Sequence, residues 1–166
     1  MDFRAGVGYD VHRLAEHREL IVGGVAVPYE RGLIGHSDAD VLTHAIIDSL
    51  LGAMGAGDIG LLFPDTDGRY EGVSSLKLLR EVKNIMRANN FTVANIDAVL
   101  IAEAPRFAPY ARVMEQNIAR SLEIAPSLVN VKATTEEGLG FTGDGSGIAA
   151  KAVCMLKKNE KDEKTP

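Results

Sequence analysis

The segment at 38–55 constrains the fold most. It carries Val41, Leu42, Ala45, Ile46, Ile47, Leu50, Leu51, Ala53 and Met54, apolar positions on nearly every side of a helix. A helix without a polar face cannot rest on a surface and has to be covered by other layers. Ser37-Asp38-Ala39-Asp40 has the spacing of a capping box, which predicts a helix start there, and the helix runs to about Gly55. A chain of 166 residues can bury such a helix in one domain without disulfides.

The flanking sequence alternates between strand and helix patterns. Phe3, Ala5, Val7, Tyr9 and Val11 fall on one face of a strand over 3–11. Two short β runs over 20–27 surround Gly23-Gly24, a hairpin signal. Residues 55–70 are rich in Gly, Asp and Pro and read as a loop long enough to suggest a functional one. Leu78, Leu79, Val82, Ile85 and Met86 predict a helix over about 75–89, followed by a strand at about 92–103. Pro109 suits the first turn of a third helix that ends before Pro126. Strands at 128–134 and 148–156 enclose a Gly-rich loop at 138–147. With no repeat or linker, the order predicts a single α+β domain over 1–157: a mixed β-sheet with three helices packed on one face. The charged, apolar-poor stretch 158–166 reads as a tail without fixed structure.

A formal net charge of −5 argues against a general nucleic-acid binder. The single cysteine, Cys154, excludes an internal disulfide and fits a reducing compartment. Its place on a strand of alternating small residues reads as core, not as a nucleophile. No apolar run approaches the roughly 20 residues of a membrane span. The opening MDFRAGVGYD lacks the layout of a signal peptide, so a cytoplasmic location away from membranes is expected. An acidic protein that handles phosphates needs local positive charge, and a metal ion is one source.

Several residues carry chemistry. Asp10 and His12 lie two apart on a strand, so both side chains leave the same face. Oxygen and imidazole nitrogen together suit zinc, although an exposed polar strand end would give the same triplet. His44 and Asp48 sit four apart on the apolar helix and share one side. Either they bond each other and do nothing more, or His44 binds a metal while Asp48 orients its ring. Asp58, Asp65 and Asp67 put three carboxylates on the 55–70 loop, where a hard cation, a sugar hydroxyl or plain turn chemistry would account for them. Lys132-Ala133-Thr134-Thr135 leaves a strand into the Gly-rich loop, and hydroxyls and N–H groups there can hold phosphate oxygens. Gly138, Gly140 and Gly143 match a dinucleotide fingerprint only on paper, because a strand and not a helix follows them.

Four segments together resemble the 2-C-methyl-D-erythritol 2,4-cyclodiphosphate synthase family of the non-mevalonate isoprenoid pathway. They are Gly8-Tyr9-Asp10-Val11-His12, GHSDADVLTHAIIDSLLGA at 35–53, GDIGLLFPDTD at 57–67 and KATTEEGLGFTG at 132–143. The resemblance implies a homotrimer with active sites between subunits. It implies zinc on Asp10, His12 and His44, and a second ion, Mg²⁺ or Mn²⁺, bound mainly by the substrate's diphosphate. The implied substrate is 4-diphosphocytidyl-2-C-methyl-D-erythritol 2-phosphate, which cyclises with loss of CMP. By the likeness, His36 and Thr135 stabilise the transition state and Ser37 holds a phosphate. Asp58, Ile59 and Gly60, with Phe63, Pro64, Asp65, Thr66 and Asp67, line the methylerythritol end. Ala102, Pro105, Arg106, Phe107 and Ala108 join Lys132, Ala133, Thr134, Glu136 and Glu137 around the cytidine diphosphate, and Phe141 packs near the substrate.

The run Gly143-Asp144-Gly145-Ser146-Gly147 departs from the G-R-G-E-G of many members. Asp144 reverses a charge that is associated with phosphate contacts and with a central trimer cavity, and weak binding of prenyl diphosphates there is the expectation.

Overall fold

The computed structural model describes residues 2–159. Its centre is a five-stranded sheet in the order β4-β1-β7-β5-β6, from β1 (Asp2–Glu16), β4 (Arg31–Leu33), β5 (Phe91–Ile101), β6 (Val129–Thr134) and β7 (Gly147–Lys158). All neighbours are antiparallel except β5 and β6, so the sheet is mixed as expected. Helices α1 (Val41–Met54), α3 (Ser75–Ala88) and α4 (Ala111–Leu122) cover one face. The sequence pattern places every long element. It misses the three-residue β4, which is too short to show a period, and short turns within its loops, among them α2 (Ile59–Leu62) and a 3₁₀ turn at Gly68–Tyr70 in 55–70 and a helical turn at Gly140–Gly143 in 138–147. Lys158 still belongs to β7, and the Asn159 N–H donates to Asn90 O at 2.8 Å, so order extends past 157. The rest of the expected tail, 160–166, lies outside the described residues.

Gly23 and Gly24 turn the hairpin of β2 (Leu20–Val22) and β3 (Val25–Val27), both with positive φ, as a tight two-residue hairpin turn requires. That turn is fastened to α1. Asp40 accepts from the N–H groups of Gly23 and Gly24 at 2.8 Å each, and from Thr43 N–H at 3.0 Å and Thr43 Oγ1 at 2.8 Å. Asp40 is therefore the cap of α1, and the capping box read at Ser37 is corrected. Ser37 is drawn away to accept from Ala39 N–H and to meet the His44 ring. Gly55 ends the helix in the left-handed conformation. Within α1 every residue but Asp48, Gly52 and Met54 is buried, as an all-round apolar helix demands.

Two glycines let α1 lie directly on β1. A Cβ at Gly6 would fall 1.9 Å from Ser49 O, and one at Gly8 would fall 1.9 Å from Ala45 O. Ala150, Ala152 and Cys154 on β7 are also buried toward this helix side, with the Cys154 thiol donating to Ser49 O at 3.1 Å. The inner face of β1 thus reads Gly6, Gly8, Asp10, His12, Leu14. Its apolar alternation, Phe3, Val7, Tyr9 and Val11, points to the opposite, uncovered face, where Val7 is 72% exposed. Val7 pairs with Val153, itself 52% exposed, so one chain presents a continuous apolar sheet surface.

Candidate active site

The inner face of β1 and one side of α1 meet where the glycines allow close approach, and there three ligand-bearing side chains converge. Asp10 Oδ2 lies 2.9 Å from His12 Nε2 and 3.0 Å from His44 Nδ1, and the two ring nitrogens are 3.1 Å apart. Ligands of a tetrahedral zinc sit roughly 3.3 Å from one another, so this donor set has the right size and chemistry for such an ion. Burial pushes the Asp10 carboxyl up, but hydrogen bonds and charge from His12 and His44 outweigh it and hold its pKa at about 2. Burial likewise pushes His44 down, and the bond and charge of Asp10, with the charges of Asp40 and Asp38, more than reverse it. A carboxylate that stays ionised beside two imidazoles is a cation-accepting arrangement.

The open question about Asp48 has a definite answer. Its carboxylate accepts from Ile59 N–H at 2.8 Å and anchors α2; it does not orient His44. Burial, with the nearby charges of Asp10 and Asp58, raises its pKa. The far nitrogen of His44, Nε2, instead meets Ser75 Oγ at 2.8 Å and Ser37 Oγ at 3.1 Å.

Above these ligands opens a cavity of about 360 Å³ lined by Asp10, His12, Gly35, His36, Ser37, His44, Ile59, Gly60, Phe63, Asp65, Tyr70 and Leu78. Nine residues singled out from sequence meet here. Gly35, Tyr70 and Leu78 complete the wall, and no chemical signal marks them in the sequence, where Leu78 reads only as a core position. Asp58 and Asp67 serve turns: Asp58 caps α2 through Leu61 N–H, and Asp67 grips the Arg69 side chain, which lowers its pKa. His36 Nε2 lies 3.3 Å from Asp67 O. Pro64 and Thr66 belong to the same loop without lining the cavity.

The remaining residues gather elsewhere. Because β5 and β6 run parallel, with Ile101 opposite Thr134, the segments after both strands leave the sheet together. Ala102 N–H donates to Thr134 O at 3.1 Å, Glu103 N–H to Thr142 O at 3.3 Å, and Thr135 Oγ1 to Glu137 Oε1 at 3.0 Å. Glu136 accepts from the Thr142 hydroxyl. Pro105 follows a cis peptide, Arg106 and Ala108 are exposed, and the Phe107 side chain packs in the core. Every residue from Lys132 to Phe141 is exposed, Ala133 included. Lys132 is paired to Asp97 at 2.6 Å on the open sheet face, away from the cavity. None of this second cluster lines the cavity over Asp10. Phe141 borders a separate hollow with Val11, His12, Arg13, Ser146 and Gly147. Asp144 accepts from Ser146 N–H at 2.8 Å and from its hydroxyl, so its carboxylate closes the turn that it opens.

The YgbB family model matches residues 3–157. A 2-C-methyl-D-erythritol 2,4-cyclodiphosphate synthase of Clostridium perfringens is 58% identical over 155 residues, covering 93% of this chain and 99% of its own length. A protein of the same name from Lachnospira eligens is 60% identical over 153 residues, or 92% of this chain and 84% of its own. Among solved structures, the bifunctional IspDF of Campylobacter jejuni aligns with a TM-score of 0.92 at 40% identity over 96% of this chain, which spans 43% of that longer one. The Plasmodium falciparum IspF in complex with CDP aligns with a TM-score of 0.82 at 34% identity, over 95% of this chain and 97% of that one.

Proposed function

This chain belongs to the YgbB family, and we propose that it catalyses the cyclisation for which its curated relatives are named. In that reaction an oxygen of the 2-phosphate of 4-diphosphocytidyl-2-C-methyl-D-erythritol 2-phosphate bonds to the β-phosphorus. The bond from that phosphorus to the bridging oxygen breaks, CMP leaves, and 2-C-methyl-D-erythritol 2,4-cyclodiphosphate remains. The observation that carries the reading is the convergence of Asp10, His12 and His44 on the floor of the cavity.

Asp10, His12 and His44 would hold zinc, and zinc there, with Mg²⁺ or Mn²⁺ as a second ion, would supply the positive charge that a diphosphate substrate and its leaving CMP require. The chain's own contribution is positioning, because nucleophile and electrophile belong to one molecule and the folded conformer must be held. His36 and Ser37 stand on the cavity wall beside the ligands and offer hydrogen bonds to phosphate oxygens. Ile59, Gly60, Phe63 and Asp65 hold the methylerythritol end, with Asp58, Pro64, Thr66 and Asp67 shaping the loop that carries them. Phe63, Tyr70 and Leu78 give that wall its apolar, water-excluding part.

The residues assigned to the cytidine end form their own cluster: Ala102, Pro105, Arg106, Phe107 and Ala108, with Lys132, Ala133, Thr134, Glu136 and Glu137. Thr135, a transition-state stabiliser in this reading, belongs to it, and Phe141 packs nearby. Their separation from the cavity over Asp10, together with the exposed apolar face of β1 and β7, supports a homotrimer in which one subunit supplies the metal side and its neighbour the nucleotide side. We read 1–157 as the synthase domain and place the reaction in the cytoplasm. Among the described residues no helix is long and apolar enough to cross a membrane.

Incubation of the purified protein with the diphosphocytidyl substrate, Zn²⁺ and Mg²⁺, followed by ³¹P NMR, tests the reading. A cyclic diphosphate and CMP in equal amounts are expected. Free phosphate or a linear product would mean that water is the nucleophile and that the protein is a phosphohydrolase.

A further inference from the structure

We propose that Ser75, held by Asp38, is a positioning residue that fixes His44 as a metal ligand through Nδ1. The inference rests on the zinc reading of Asp10, His12 and His44. Ser75 is the first residue of α3 and fully buried. Its hydroxyl lies 2.8 Å from His44 Nε2 and hydrogen-bonds the Asp38 carboxylate. Its backbone N–H also donates to both Asp38 oxygens, at 3.0 and 3.1 Å. Asp38 is held in turn: its own N–H donates to Val73 O at 3.1 Å.

Counting hydrogens gives the direction of this chain. An ionised carboxylate only accepts, and a serine hydroxyl has one proton to give. With that proton on Asp38, Ser75 Oγ can only accept from His44, which places the imidazole hydrogen on Nε2. The nitrogen left to take a metal ion is then Nδ1, which faces Asp10 Oδ2 at 3.0 Å and His12 Nε2 at 3.1 Å. Ser37 Oγ, 3.1 Å from Nε2, supports the same ring orientation while accepting from Ala39 N–H. Outer partners that set a ligand's tautomer and ring angle commonly change metal affinity by about 10–100-fold.

Asp38 also covers the first turn of α3, where Ser74 makes no side-chain cap. Ser75→Ala separates the two roles, because it keeps the backbone N–H bonds to Asp38 and removes only the hydroxyl between Asp38 and His44. Zinc affinity is read by competition with a chromophoric chelator, and ligand geometry by the visible absorption of the Co²⁺-loaded protein. Ser75→Ala is expected to weaken Zn²⁺ binding by about 10–100-fold and to alter the Co²⁺ bands, with the metal-free protein still folded by its far-UV spectrum. Ser75→Thr, which keeps the hydroxyl, is expected to restore both. Wild-type Zn²⁺ affinity and Co²⁺ bands in Ser75→Ala would overturn the positioning role and leave the zinc reading standing. A wild-type protein that takes up no Zn²⁺ would overturn both. If the variants do not fold, nitrogen-correlated NMR of the Zn²⁺-loaded wild type decides: a proton on His44 Nε2 bears the proposal out, and a proton on Nδ1 overturns it.

Discussion

At His44 two opposing effects meet, and their balance gives a pH signature. Burial lowers its pKa, but Asp10 first, then the charges of Asp40 and Asp38, hold it above 6.5. A raised folded value means that this contribution to stability is full below pH 6.5 and is lost as pH rises through the folded value. Asp10 runs the other way: at about 2, below its ordinary 3.8, its contribution is present above pH 3.8 and is lost as pH falls toward 2. The metal-free protein is therefore helped most by this pair between those limits. His44→Ala should flatten the alkaline side of the profile in urea unfolding across pH. Zinc has to displace the His44 proton, so its uptake should release protons and tighten as pH rises; calorimetry in buffers of different ionisation enthalpy measures both. With a ligand gone, His44→Ala should also lower turnover of the diphosphocytidyl substrate by roughly 100-fold or more, measured by CMP release. That Asp10 and His12 share one face is legible from their spacing on a strand. Their partnership with His44, 32 positions further along, is not, because no local period links them.

Among the elements, the contact of β1 with α1 sets the site. Gly8→Ala would drive a Cβ into Ala45 O, one residue from His44, and the helix would have to lift from the strand. We expect a destabilisation of about 3 kcal/mol in urea unfolding. Zinc affinity should fall as well, since the same shift parts His44 from Asp10. Asp40→Ala tests a different support. It removes the cap of α1 and leaves two hairpin N–H groups and the Thr43 pair without their acceptor. A loss of about 3 kcal/mol is expected, with the far-UV spectrum of the folded fraction retained. The helix is legible in its apolar run, but its cap is not. Ser37 and Asp40 both have capping chemistry, and only the position of the Gly23-Gly24 turn decides for Asp40.

For the whole molecule, the uncovered sheet face is the feature to test. Val7 and Val153 lie opposite each other on neighbouring strands and are both more than half exposed. Lysine at both positions should be tolerated by the single chain, whose core lies on the other face. Buried between copies, the two charges would oppose association at several kcal/mol. Sedimentation velocity should show the wild type as a trimer and Val7→Lys/Val153→Lys as a monomer. CMP release should fall with it if, as proposed above, the cluster around Thr135 meets a neighbouring subunit's cavity. A variant that stays trimeric and fully active would show that this face is not the interface.

Local physics in the sequence determined the period of each long element, the all-round burial of α1, the hairpin at Gly23-Gly24 and the same-face pairing of Asp10 with His12. Each of these follows from the geometry of a few neighbouring residues. The sequence also displays the alternation of Phe3, Val7, Tyr9 and Val11, but a period of two does not say which face meets the helices. The tertiary structure gives the inner face to Gly6, Gly8, Asp10 and His12, because only small residues admit the α1 backbone at that distance. It also assigns Asp48 to Ile59 and hands the orientation of His44 to Ser75 and Asp38. Those pairings depend on where α3 and the turn after α1 come to rest, and packing alone settles that.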